Sequence, residues 1–130
     1  MESEVAGLNK YFIFLLMIFM HIVDDYYLQR ILASMKQRDW WKENAPAKMY
    51  ERDYMVALFM HAFSWAFMVM LPIAFSMGFA INVKFGVAFV SNLVIHAVVD
   101  HEKANVKSIN LITDQWIHMF QIMITWICFF

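Results

Sequence analysis

The chain has 130 residues, of which 62% are hydrophobic and 16% charged, with 12 Met, 13 Phe and 5 Trp but only 3 Gly and 2 Pro. A soluble domain carries roughly 45–50% apolar and about 25% charged residues, so this composition excludes an ordinary soluble fold and points to one polytopic membrane domain spanning 1–130. A formal net charge of −1 argues against nucleic acid as a partner, and a lone cysteine, Cys128, excludes a disulfide framework.

Met1-Glu-Ser-Glu-Val lacks the basic start and small-residue cleavage site of a secretory signal, so the first apolar segment is expected to be a retained span. Uncharged runs cover Tyr11–Val23, Tyr54–Val83, Phe85–Val99 and Gln115–Phe130. A helix needs about 20 residues to cross a bilayer. Three of the runs reach that length only by continuing through a neighbouring His/Asp turn, to about Leu28, Ala104 and Ser108. The expected fold is therefore all-α, a four-span transmembrane bundle with spans near 8–28, 54–80, 84–104 and 108–130. Pro72 and Gly78 predict a kink or an early end in the second span. Cys128, in the last run, is expected to be a buried packing residue.

Between the first two spans, ILASMKQRDWWKEN is compatible with a helix lying along the interface, with Trp40 and Trp41 at headgroup level and Lys/Arg toward anionic lipid. The alternative is a plain basic loop that sets topology. Pro46 ends any helix here.

The connections linking spans one to two and three to four contain Arg30, Lys36, Arg38, Lys42, Lys48, Arg52, Lys103 and Lys107, whereas the other side has Lys10 and Lys84. Eight against two predicts cytoplasmic basic connections, extracytoplasmic termini and an up-down-up-down bundle in the inner membrane of a bacterium.

Three His/Asp pairs then fall on the cytoplasmic side: His21 with Asp25, His96 with Asp100, and Asp114 with His118, each four residues apart on one helix face. From the outer edge, His21 lies 10 residues beyond Tyr11, His96 lies 11 beyond Phe85, and His118 lies 12 before Phe130. At about 1.5 Å per residue they share one depth to within a turn. His61, early in the second span, lies toward the same side. Ionisable groups in apolar spans are costly and mark functional sites by default. Imidazole with carboxylate and no thiolate suits Zn²⁺, with Mn²⁺ or Fe²⁺ as alternatives. His21, Asp25, His61, His96, Asp100, Asp114 and His118 are the expected ligands of one or two ions. The simpler reading is interhelical packing, worth about 0.6 kcal/mol for each hydrogen bond. Gln29, Asn92 and Lys103 extend the same faces. Asp24 and Glu102 are candidate general bases or, more simply, solvated neighbours, and His101 points away from Asp100.

HIVDDYYLQ with Met35-Lys36, HAVVDHEK and DQWIH resemble the H-x-x-x-D-x-x-L-Q…K, H-x-x-x-D-x-x-K and D-Q-x-x-H blocks of a family of uncharacterised small bacterial and phage membrane proteins. Nearly the whole chain is covered, although Asp24 and His101 do not correspond to fixed family positions. A looser similarity links the pattern to membrane-bound metal-dependent hydrolases. That family of small membrane proteins carries no settled activity. The metal reading of the residues points to hydrolysis of a phosphoester in a lipid or lipid-linked molecule, with Lys36 and Lys103 stabilising phosphate charge and Asp24 as a spare base. Two other classes remain. One is a metal-braced protein that engages a partner, and the other is metal or proton transport. Oligomerisation is left open.

Reporter fusions test the topology. One at Phe130 is expected to report the extracytoplasmic side and one near Lys42 the cytoplasm; a cytoplasmic Phe130 would break the shared depth of the three pairs.

Overall fold

Each apolar run folds as one long helix, since a backbone in hydrocarbon must satisfy its hydrogen bonds within its own segment. The computed structural model describes residues 2–130, with side chains from Asn9 onward, and no strand occurs among them. Helix α1 covers Glu2–Ile22 and continues as a π-helical turn over Val23–Leu28. Two short helices follow, α2 (Leu32–Met35) and α3 (Arg38–Asn44), and then a 3-10 turn at Lys48–Tyr50. Helix α4 covers Tyr54–Ser76, α5 covers Val83–His101 with a π-helical continuation over Glu102–Val106, and α6 covers Leu111–Phe129.

Local chemistry sets these limits. Asn82 Oδ1 accepts the Phe85 N–H at 2.9 Å and Asn110 Oδ1 accepts the Thr113 N–H at 2.9 Å, the side-chain caps that start α5 and α6. Pro72 stays inside α4. The helix stops four residues later, where Gly78 (φ 62°) and Phe79 (φ 60°) enter the left-handed region and reverse the chain. The expected single interfacial helix is two pieces instead. Gln37 is extended (φ −94°, ψ 122°) because Lys36, just before it, turns into the bundle and is buried.

Helix α1 packs on α4, α4 on α5, α5 on α6 and α6 on α1, closing a ring. Consecutive long helices run in opposite directions. Trp126 near the end of α6 donates to Lys10 O near the start of α1 at 2.8 Å, and Phe85 at the start of α5 meets Phe129 at the end of α6. Ile13, Met17, Trp65, Ala66, Val69, Ile73 and Ile122 form the apolar core of this half.

The outer surface is apolar and the charged groups lie inside, beside that apolar core, the inverse of a soluble protein's surface. Phe12, Leu15, Phe19, Phe59, Val94, Trp116, Phe120 and Ile127 are exposed, while His21, Asp24, His61, His96, Asp100, Asp114 and His118 are buried. Asn9–Leu28, Lys48–Ser76 and Val83–Val106 are each long and apolar enough to cross a membrane, which marks a membrane protein. Helix α6 has 19 residues, but Asp114, Gln115, His118 and Gln121 lower its apolar character. Cys128 is exposed rather than buried, and lines an open groove of about 530 Å³ between α5 and α6.

Over the basic end, Asn105 ties the first connection down. Its Oδ1 accepts the Arg38 N–H at 2.6 Å, and its Nδ2 donates to Lys36 O at 3.0 Å. Lys107 reaches Asp39 at 3.1 Å; with Lys42 it holds that carboxyl below the ordinary range.

Met17 is fully buried and Phe19 is exposed. Met17→Ala should therefore destabilise the detergent-solubilised protein by about 2–5 kcal/mol. Phe19→Ala should leave its Tm nearly unchanged, and scanning calorimetry of both variants checks the inverted arrangement.

Candidate metal centre

The ring brings the end of α1, the start of α4, the end of α5 and the first half of α6 to one level. Seven His and Asp side chains from these four helices meet there, with Asp24 as an eighth. His61 Nε2 lies 3.1 Å from His96 Nε2, 3.2 Å from Asp100 Oδ2 and 3.3 Å from Asp25 Oδ1. His118 Nε2 lies 3.4 Å from Asp100 Oδ1 and 3.2 Å from Asp114 Oδ1. Two groups bound about 2.1 Å from one ion stand about 3.0–3.4 Å apart, so these spacings match edges of a coordination polyhedron. Asp25, His61 and His96 could hold a metal ion, and so could His96, Asp100 and His118. Asp100 turns Oδ2 toward His61 and Oδ1 toward His118, and so stands between the two groups.

Unpartnered atoms test the fit. His118 Nε2, Asp114 Oδ1 and Asp25 Oδ1 are buried without a hydrogen-bond partner. Buried polar atoms without a partner are uncommon in folded proteins and call for an explanation, a bound ion being one. His118 Nδ1 lies 3.5 Å from Gln121 Oε1, and its Nε2 faces the Asp100 and Asp114 carboxylates. His96 is stacked between Trp65 (centroids 4.3 Å) and His118 (4.1 Å), so its ring plane is fixed by packing.

His21 has a different role from the one its spacing predicts. Trp65 Nε1 donates to His21 Nδ1 at 2.8 Å. Indole N–H is a donor only, so Nδ1 holds the lone pair and a neutral ring must carry its proton on Nε2. That Nε2–H donates to Gln115 Oε1 at 3.0 Å. No free lone pair remains for a metal. Gln115 Nε2 in turn donates to Asp114 Oδ2 at 2.9 Å, so His21 is linked through Gln115 to the Asp114 carboxylate it helps to orient.

Asp24 is not a solvated neighbour but fully buried. It accepts a short hydrogen bond from Ser64, and its Oδ2 lies 3.6 Å from His61 Nδ1, both atoms lacking a hydrogen-bond partner. A carboxylate beside Nδ1 favours the proton there and leaves Nε2 free to face the cluster. Lys36 Nζ bonds Asp100 Oδ2 at 2.7 Å and Lys103 Nζ bonds Asp114 Oδ2 at 2.9 Å, so both ammonium groups hold carboxylates of the cluster. Gln29 donates to Asp25 O at 3.0 Å. Asn92 joins Gln121 and Thr125 in a polar belt that meets the cluster at His118, and His101 stacks on Tyr54 outside it.

Trp65, Ser64, Gln115 and Gln121 were not among the expected site residues. Ser64 and Trp65 follow His61 by three and four residues, and Gln121 follows His118 by three, the one-face spacing that found the His/Asp pairs. Gln115 precedes His118 by the same three residues and stands in the DQWIH block.

Four carboxylates (Asp24, Asp25, Asp100, Asp114) stand against two ammonium groups (Lys36, Lys103), so the remaining negative charge falls to imidazole protonation or to a bound cation. No family model matches the chain, and neither does any curated protein or solved structure.

Zn²⁺ competition titrations separate ligands from orienting residues. His61→Ala and His96→Ala should abolish tight binding. His21→Asn should weaken it only about 10–100-fold, as loss of an orienting partner does.

Proposed function

We propose that the chain is a four-span membrane protein whose bundle holds a divalent-metal centre, and that this centre serves hydrolysis of a phosphoester on a lipid or lipid-linked molecule at the cytoplasmic face. The observation that carries the reading is the convergence of orphaned imidazole and carboxylate atoms from four helices at ligand spacing. Support for α6 as a fourth span comes from its sidedness. Asp114, His118, Gln121 and Thr125 turn inward, while Trp116, Phe120 and Ile127 face outward, so the polar residues that lower its apolar character are not presented to lipid. The basic connections at the site's end support a cytoplasmic orientation.

Asp25, His61, His96, Asp100, Asp114 and His118 would hold one or two ions, Zn²⁺ by donor type, with Mn²⁺ or Fe²⁺ next. When bound, it would supply Lewis acidity, lowering the pKa of a bound water to about 7 and polarising a phosphoryl oxygen. The chain's own groups do the rest. Lys36 and Lys103 hold Asp100 and Asp114 in place and set the charge of the site. Lys103, whose side chain is 25% exposed, is the cation an incoming phosphate can reach. Asp24 with Ser64 keeps the proton of His61 on Nδ1.

A metal brace is the second reading, favoured by Lys36, which is only 5% exposed and closes the cluster on its basic side. A panel of phospholipids and lipid-linked phosphates incubated with metal-loaded protein decides between them. Hydrolysis that is lost in Asp100→Asn and slowed in Lys103→Met at unchanged metal content supports the enzyme. Metal-replete protein that is inert across the panel, yet melts higher than its chelated form, contradicts hydrolysis and leaves the brace.

A further inference from the structure

A second site lies in the first connection, away from the His/Asp cluster. Arg38, Trp41, Lys42, Lys48 and Glu51 line a cavity of about 300 Å³, together with the Ala45-Pro46-Ala47 turn. Three cations face one carboxylate there, an unbalanced set in a chain whose net charge is −1.

The neighbouring acids do not correct the imbalance. Asp39 is held by Lys107 at 3.1 Å, and its 3.4 Å contact with Lys42 is solvent-exposed and weak. The walls, by contrast, are fixed. Trp41 Nε1 donates to Met35 O at 2.6 Å and its ring stacks on Tyr50. Arg38 Nη2 donates to Tyr54 Oη at 3.1 Å, with the guanidinium 5.1 Å from the Tyr54 ring centroid. Arg38 is thus braced on one side and keeps further N–H groups for an anion, the geometry that suits phosphate oxygens.

Position selects the anion. Lys48 begins the stretch Lys48–Ser76, which is able to cross a membrane, and Tyr54 is the first residue of α4. The cavity therefore sits where that helix meets the headgroup layer, beside Trp40 and Trp41, residue types that favour this depth. We infer that this cavity binds the phosphate of an anionic phospholipid headgroup, fixing the first connection, and through it Lys36, against the membrane surface. This inference rests on the membrane reading of α4 and not on the metal or on hydrolysis.

Native mass spectrometry of the detergent-purified full chain, mixed with phosphatidylglycerol or phosphatidylcholine, tests it. Phosphatidylglycerol should be retained at least about tenfold more strongly, in line with attraction from three basic groups. The combined variant Arg38→Gln, Lys42→Gln, Lys48→Gln should lose that preference, and Tyr54→Phe should weaken it. Lys10→Gln with Lys84→Gln, which removes charge elsewhere, should not. Equal retention of the two lipids, or equal loss in the Lys10/Lys84 control, overturns the inference. So does soluble glycerol phosphate binding as tightly as the lipid, since that marks a free-phosphate site. Metal content measured on the same preparations keeps a failure here distinct from a failure of the metal centre.

Discussion

Asp24, Asp25, Asp100 and Asp114 bring four carboxylates into a ring of apolar helices, and each needs compensation within reach. A buried ion unpaired by an opposite charge costs several kcal/mol even after relaxation. That constraint organises the molecule. Two carboxylates draw lysines inward, Lys36 from a connection 64 residues away in sequence and Lys103 from the helix next to Asp114. Asp24 takes Ser64 and faces His61, while Asp25 is left among imidazoles. Lysines offset two of the four carboxylates, while Asp24 and Asp25 stand beside imidazole nitrogens instead.

The same demand shapes the chain outside the bundle. Lys36 can reach Asp100 only if the first connection breaks after α2, turns inward and resumes as α3. Asn105 stabilises that path by bonding the backbone on both sides of the break, at Lys36 O and Arg38 N. The connection is thus tied at once to the cluster, through Lys36, and to the end of α5, through Asn105 and the Asp39–Lys107 pair. A change around Arg38 has a short route to Asp100, two residues along the backbone to Lys36 and then through its 2.7 Å ion pair.

Much of the fold and part of the site was legible in the sequence. Long uncharged runs required helices, and i, i+4 spacing put each histidine and aspartate on one face, so an antiparallel ring was enough to bring His96, Asp100, Asp114 and His118 together. What spacing cannot carry is competition for a lone pair. His21 has the same relation to Asp25 as His96 has to Asp100, yet Trp65 caps its Nδ1 and Gln115 takes its proton. Nor does spacing report long-range partners, so Lys36 read as a cation free for phosphate although it is bound to Asp100. Asp24 was misread for a third reason. It lies three residues after His21, on the flank of the same face, and the π-helical turn keeps it and Asp25 both directed inward. Cys128 shows the limit of reading burial from hydropathy, because an apolar run in a membrane protein has as much outside as inside.

X-ray absorption at the zinc edge, on protein purified without chelators and reloaded with Zn²⁺, tests the metal centre most directly. The expected spectrum has a nitrogen/oxygen shell at about 2.0–2.1 Å with outer-shell scattering from imidazoles, at one or two ions per chain. A hydrated ion with no imidazole signature, or protein that takes up no zinc, would contradict the metal centre and leave the His/Asp cluster as an ion-paired core.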